Sequence, residues 1–378
     1  TKMFDFNLEF ARGGATFTTE LFQLLAAGGV KQNIVFSPFS IQTCIALAFA
    51  GAQGDTADEI AKGLRFASNY PPEVAQTFQF VLEKYKHSEL LKVANKLYVQ
   101  QGKQLKPSYE QAIKEQYHSE AESINFALSD AAAQSINAWV NAKTEGKITE
   151  LVTPDAFNDN TRVVLLNALH FKGSWAHKFD AERTEDDDFW VGAEESIKLP
   201  YMNQKAKFGY GFFDDLGCTA LDMPYKDSDL SMFVLLPQER EGIKDLAEKL
   251  KGVNLVDLAD KLVVEEVHVK FPKFKVDYSI ELEDKLKQLG INKMFDDGAE
   301  FNNLLESPEG VYVSKVLHKA TIEVNEEGTE AAAATGMIMM TRMMTFPLQF
   351  QADRPFLYVI WNKKNILFAG AFVNAPNA

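Results

Sequence analysis

The chain has 378 residues, 46% hydrophobic and 24% charged, a globular balance that excludes intrinsic disorder and collagen-like structure. Thirty-nine Lys and Arg against 53 Asp and Glu leave a net charge of −14, which repels phosphate backbones and removes nucleic acid from the expected partners. No apolar run reaches the ~18–20 residues that cross a bilayer, so no membrane partner is expected either.

The first third reads as helices. Residues 6–25 carry apolar side chains at near-helical spacing and stop at Gly28-Gly29. Ser37-Pro38 opens a second apolar helix over 41–50, with Pro where its missing N–H costs nothing, and Gly51 ends it. Amphipathic helices follow over 55–64, 72–85 and 107–117, and 93–99 alternates with the period of a strand. Another helix spans 129–142, with Asp130 near its positive end. The character changes after Thr161. Residues 163–171 are a continuous β-branched and aromatic run, as in a strand buried on both faces. The acidic run 184–188 reads as a solvated turn. Short strands are expected over 206–213, 219–223, 230–236 and 263–271, a helix over 280–289, and a long strand over 312–324. A closing hairpin joins 356–361 to 366–373 through Asn362-Lys363-Lys364-Asn365. Helices in front, antiparallel strands behind and no Pro/Ser-rich linker predict one mixed α+β domain over 1–378.

One stretch does not fit. Residues 326–347 lie between two strand signals and run longer than ordinary connections, which marks a functional or disordered loop. Yet it consists mainly of Ala, Thr and Met, with five Met among the eight residues 337–344. As a strand, Thr329, Ala331, Ala333 and Thr335 point to one face, all small and uncharged, and Glu330, Ala332 and Ala334 to the other. Such a strand enters a packed sheet without forcing in bulk or charge. The four alanines read equally well as a short exposed helix. The flexible methionines suit a surface that adapts to a partner.

Several separate motifs, in order and over nearly the whole chain, resemble the serpins, the serine-protease-inhibitor family. They are residues 33–41 from Asn33 to Ile41, Ile136-Asn137 with Trp139-Val140, and Thr144 with Gly146-Lys147-Ile148. Asn167, Phe171-Lys172-Gly173 with Trp175 and Phe179, and Phe271-Pro272-Lys273-Phe274 follow. His318-Lys319-Ala320, the hinge 327–333, Arg354-Pro355-Phe356 and Leu367-Phe368-Ala369-Gly370 complete the pattern. The resemblance implies a single serpin domain with three β-sheets, eight to nine helices and an exposed reactive-centre loop at about 326–350. It also implies a suicide-substrate inhibitor of serine proteases, not an enzyme, in which cleavage lets the hinge enter the main sheet. The hinge maps to Glu327, Gly328, Thr329, Glu330, Ala331, Ala332, Ala333, Ala334 and Thr335. Family convention sets the cleaved bond fourteen residues past Gly328, at Arg342–Met343, and an Arg there suits a trypsin-like pocket. A shift in register to Met340, Met343 or Met344 favours chymotrypsin- or elastase-like targets. Ser37, Ser40, Asn167 and His318 match the serpin shutter, and Trp175 the breach. The bland reading of the first four is a buried polar set that satisfies itself, and of Trp175 a core residue.

Rival functions find little in the sequence. There is no nucleophile elbow, phosphate loop or His-Glu-x-x-His, and His87, His118, His170, His177, His268 and His318 are scattered, so neither catalysis nor a metal is expected. A non-inhibitory carrier or chaperone serpin is the second rival, but the hinge keeps its small residues. Lys84, Lys86, Lys92 and Lys96 lie where some serpins bind glycosaminoglycans, yet Glu83 and Glu89 interleave with them, so a solvated face is expected and no cofactor. Cys44 and Cys218 are too few for a disulfide scaffold and leave the redox compartment open. A monomer, secreted and extracellular, follows from the family alone, any signal peptide being absent from a chain that opens at Thr1.

Overall fold

The fold is described from a computed structural model, which covers residues 2–327 and 346–376. Helix α1 (Lys2–Leu25) leads into β1 (Ile34–Phe36) and the buried α2 (Pro38–Gly51). Ser37 caps α2, its hydroxyl accepting from Ser40 N–H while Pro38 sits at the first turn. Helices α3 (Gly54–Gly63) and α4 (Pro71–Tyr85), strand β2 (Leu91–Gln100), α5 (Pro107–Tyr117), β3 (Glu120–Ile124) and α6 (Ser129–Lys143) follow. Next come β4 (Val163–Lys172), β5 (Glu185–Trp190), the 18-residue β6 (Ser196–Phe213), β7 (Cys218–Pro224) and β8 (Ser231–Pro237). The chain continues through α7 (Ile243–Lys249), α8 (Val256–Ala259), β9 (Val263–Pro272), β10 (Phe274–Glu281), α9 (Glu283–Gln288) and β11 (Val313–Val324). Strands β12 (Leu348–Gln351), β13 (Phe356–Trp361) and β14 (Ile366–Phe372) end it.

Two compact units are built from interleaved segments. The first comprises Thr1–Leu25, Phe36–Phe171 and Asp277–Thr321, the second Ala26–Val35, Lys172–Val276 and Ile322–Ala378. The first holds a five-stranded sheet of order β10-β11-β4-β2-β3. In it β2 runs antiparallel to β4, with Asn95 facing Asn167, and parallel to the edge strand β3, with Lys96 facing Glu120. Helix α6 lies on this sheet through Ala132, Ala133, Ile136 and Val140, against Ala94 and Tyr98 of β2 and Val164, Leu166 and Ala168 of β4. These inward positions recur at helical spacing and exclude water from one continuous core.

The second unit carries the nine-stranded ladder β1-β14-β13-β8-β7-β6-β9-β12, with β5 on β6. The long β6 serves two sheets. Its first part pairs with β5 and β9, and Gly209–Phe213 pairs with β7. With the five-stranded sheet this makes the expected three sheets, beside nine α-helices among the described residues. Gly370 permits close approach within this unit, since a Cβ there would stand 2.4 Å from the Ile34 carbonyl oxygen and 2.6 Å from the Tyr358 hydroxyl.

Three local expectations are corrected. The helix expected over 280–289 begins only at Glu283, because 274–281 alternate as β10, buried at Phe274 and Val276 and exposed at Lys275 and Asp277. The acidic run 184–188 is mostly strand β5 rather than a turn: Asp187 pairs with Lys270, and Asp188 with Lys198 at 3.2 Å. Strand β6 starts ten residues before the expected 206, and its mixed polar burial hid the early part.

Candidate functional site

Strands β11 and β4 are neighbours in the five-stranded sheet. Near their beginnings the Arg162 N–H donates to Ser314 Oγ at 2.8 Å, so both strands run the same way. A parallel pair is the weaker kind of ladder, and a chain returning after β11 runs antiparallel to both members.

A line of buried polar groups crosses this seam. Ser37 N–H, at the start of α2, donates to His318 Nε2 at 3.2 Å. On the other side of the ring His318 Nδ1 meets Asn167 Oδ1 at 2.5 Å. Because Nε2 accepts, the proton resides on Nδ1 and is donated to Asn167. The Asn167 amide then donates to Asn95 Oδ1 on β2. Burial pushes the His318 ring down to about 3, so it stays neutral and keeps this tautomer across physiological pH. The sequence pointed to Ser37, Ser40, Asn167 and His318, and the structure brings all four together. Asn95 was missed, although a lone Asn in an apolar alternating strand is the signal that finds it.

Trp175 lies in the second unit, where the chain after β11 is tied down. Its indole N–H donates to the Asn325 carbonyl at 2.8 Å and its backbone N–H to the Glu327 carbonyl at 2.9 Å. Phe179 N–H holds the Glu326 carbonyl at 3.2 Å. The indole is 2% exposed and stacks on Tyr225, with centroids 4.6 Å apart. Side chains add a second set of ties. Glu326 accepts from the Thr184 hydroxyl at 2.7 Å and pairs with Lys273 at 3.0 Å, and Glu327 pairs with Lys172 at 3.2 Å. Partial burial pushes the Glu326 carboxyl up, but the hydroxyl and the ammonium more than offset this and hold it below its usual range. Lys172 and Lys273 stood in the serpin motifs and Thr184 in the acidic run, but none was given this role from sequence, because each sits far along the chain from the junction it holds.

Of the expected hinge only Glu327 is described. Gly328 to Thr335, Met340, Arg342, Met343 and Met344 lie outside the described residues. The chain resumes with Phe346, 86% exposed, two residues before β12 pairs in parallel with β9. Among the described residues no group of three or more His, Cys, Asp or Glu could hold a metal, and no helix is long and apolar enough to cross a membrane. Cys44 and Cys218 are free, buried thiols, and burial pushes Cys218 up to about 12.

The lysines set aside as a solvated face are occupied. Lys86 pairs with Glu83 at 3.5 Å, and Lys92 with Glu145 at 3.1 Å and Glu89 at 3.7 Å. Lys96 is a correction: its side chain is 3% exposed and points into the protein.

The family model for serpins (serine protease inhibitors) matches residues 12–375. The chain belongs to the serpin family. This serpin is 38% identical over 358 residues to Serine protease inhibitor 42Dd of Drosophila melanogaster, covering 94% of this chain and 95% of that protein. It is 36% identical over 371 residues to the Leukocyte elastase inhibitor of Bos taurus, covering 96% and 98%. The solved structure of cleaved Serpin 42Da is similar to this serpin with a TM-score of 0.89 at 39% identity, covering 98% of this chain and 100% of that one.

Proposed function

We propose that this serpin is an inhibitory member that traps serine proteases as acyl-enzymes. The protease serine attacks the Arg342 carbonyl, and its ester to Arg342 forms as the Arg342–Met343 peptide bond breaks and the new Met343 amine leaves. The freed hinge, anchored at Glu327, then turns back and enters between β11 and β4, antiparallel to both. It carries the tethered protease with it. The observation that bears most weight is the match between hinge and seam. Thr329, Ala331, Ala333 and Thr335 put only small uncharged groups on one face, directly after a strand whose neighbour runs parallel to it. A strand of about ten residues hydrogen-bonded on both edges gains of order 10 kcal/mol at roughly 1 kcal/mol per bond. That rivals the whole stability of a domain, ~5–15 kcal/mol, and is enough to distort the trapped enzyme if entry outruns deacylation.

In this reading the Ser37–His318–Asn167–Asn95 line is the gate. Parting β4 from β11 breaks the His318–Asn167 bond while leaving the β2–β4 ladder intact. Trp175 marks the end of the seam where entry begins. Arg342 directs the inhibitor to trypsin-like enzymes. The second reading is an elastase- or chymotrypsin-like target through Met340, Met343 or Met344, favoured by the methionines around Arg342 and by a relative named for leukocyte elastase. The chain acts as one domain over 1–378 and as a monomer, without a cofactor. Its setting is extracellular, a reading drawn from the family and compatible with thiols too buried to exchange.

Mixing the protein with trypsin should give a covalent band that survives SDS. Mass spectrometry should find a released peptide beginning at Met343. A peptide starting at Met344 or Thr345 overturns the Arg342 assignment, and complete cleavage without any covalent band overturns inhibition itself.

A further inference from the structure

Lys96 is the one side chain of β2 whose charge lies inside a nearly closed shell of aromatic and acidic groups. Its ammonium stands 4.8 Å from the ring centre of Tyr98 and 4.7 Å from that of Trp139 on α6. Glu122 and Glu120, both on β3, approach to 2.5 and 3.5 Å. One turn beyond Trp139, Lys143 reaches back to Glu120 at 3.1 Å. A single buried cation therefore joins β2, the edge strand β3 and α6. β2 and β3 lie on the side of β4 away from β11, while α6 packs across β2 and β4.

Toward β11 the ties of α6 and its following connection are fewer. Lys319 donates to the Glu150 carbonyl at 3.0 Å, the Tyr312 hydroxyl donates to the Asn160 carbonyl at 3.0 Å, the Arg162 N–H donates to Ser314 Oγ at 2.8 Å, and Leu317 packs against the α6 core. This asymmetry matters only if the seam opens.

We propose that Lys96 is a positioning residue for trapping: it keeps α6 with β2 and β3 when β4 parts from β11. This rests on the inhibitory reading above. With α6 carried along, only the few β11-side bonds break on the path of the incoming strand. Without the cation α6 is shared between the two sides, entry slows, and more acyl-enzymes hydrolyse before they are trapped. A merely structural role predicts otherwise. Replacing a buried charge pair by an apolar side chain is often neutral for stability and has no reason to alter partitioning.

The test is K96M, which keeps length without charge, beside K96R, which keeps the cation and its aromatic and carboxylate partners. Glu120 and Glu122 are 51% and 52% exposed, so neither is left buried and unpaired in K96M. The readouts are inhibitor molecules consumed per trypsin molecule inactivated, and amide hydrogen exchange of the intact proteins. In K96M the ratio of hydrolysis to trapping, read from the inhibitor consumed, should rise about thirtyfold, the factor a desolvated cation–aromatic contact carries, and K96R should match wild type. In K96M the α6 and β3 amides should exchange faster together while β11 stays unchanged. Consumption equal to wild type in K96M overturns the proposal, as does unaltered exchange in α6. A wild-type protein that forms no covalent complex overturns the inhibitory reading and this role with it, an outcome distinct from a trapping wild type whose K96M variant traps equally well.

Discussion

In the proposed mechanism His318 joins the gate through its state of protonation. It is 1% exposed, accepts from Ser37 N–H and donates to Asn167, so it has no room for a second proton. Its folded value of about 3 lies below the 6.5 of a free histidine, and between those limits the unfolded chain binds a proton that the folded one does not. Stability contributed by the neutral ring is therefore complete above pH 6.5 and lost as pH falls toward 3, by up to about 1.4 kcal/mol per unit. Wild type should lose more stability than H318Q between pH 7 and 5 in denaturant titrations. Identical pH slopes would remove His318 from the gate. Ser37, Ser40, Asn167 and His318 were legible in sequence only through the family resemblance, since buried Ser, Asn and His look alike wherever they occur, and Asn95 was not found. The fate of Lys96 was not legible. Apart from Tyr98, two residues along the strand, the groups that enclose it come from residues 120, 122 and 139.

At the scale of elements, periodicity found α1 to α6 and most strands to within a few residues, and missed the short α7 and α8. The misses have separate physical causes. Strand β3 is a charged edge strand, β12 has four residues, and β10 runs into α9 without a break in apolar spacing. In the proposed mechanism the hinge is the element on which inhibition turns. Thr329→Arg places a guanidinium on the face that must be buried, at roughly 3–5 kcal/mol for an unpaired buried charge. It should turn the inhibitor into a substrate, with trypsin cleaving at the wild-type rate and the covalent band on gels largely lost. A wild-type yield of complex would mean that this residue never enters the sheet. In the other sheets, Gly370→Ala forces a methyl group against the Ile34 carbonyl and the Tyr358 hydroxyl. Overpacking of this kind costs about 1–3 kcal/mol, readable as a lower urea midpoint at unchanged slope.

For the whole molecule, the native state of an inhibitory serpin stops short of its most stable arrangement. In the proposed mechanism the parallel β4–β11 seam and the small-residue hinge are the two halves of a new antiparallel ladder, and the ties on Asn325, Glu326 and Glu327 hold its origin in place. Insertion worth about 10 kcal/mol, spread over the unfolding entropy of a chain this long, corresponds to a rise in melting temperature of about 10 °C or more. The most direct measurement is a thermal melt of the intact protein beside the same protein nicked once in the loop, with the protease removed. The nicked form should melt at least that much higher, and its 328–335 amides should become protected from exchange. Equal melting temperatures, with those amides still exchanging freely, would contradict the loaded sheet.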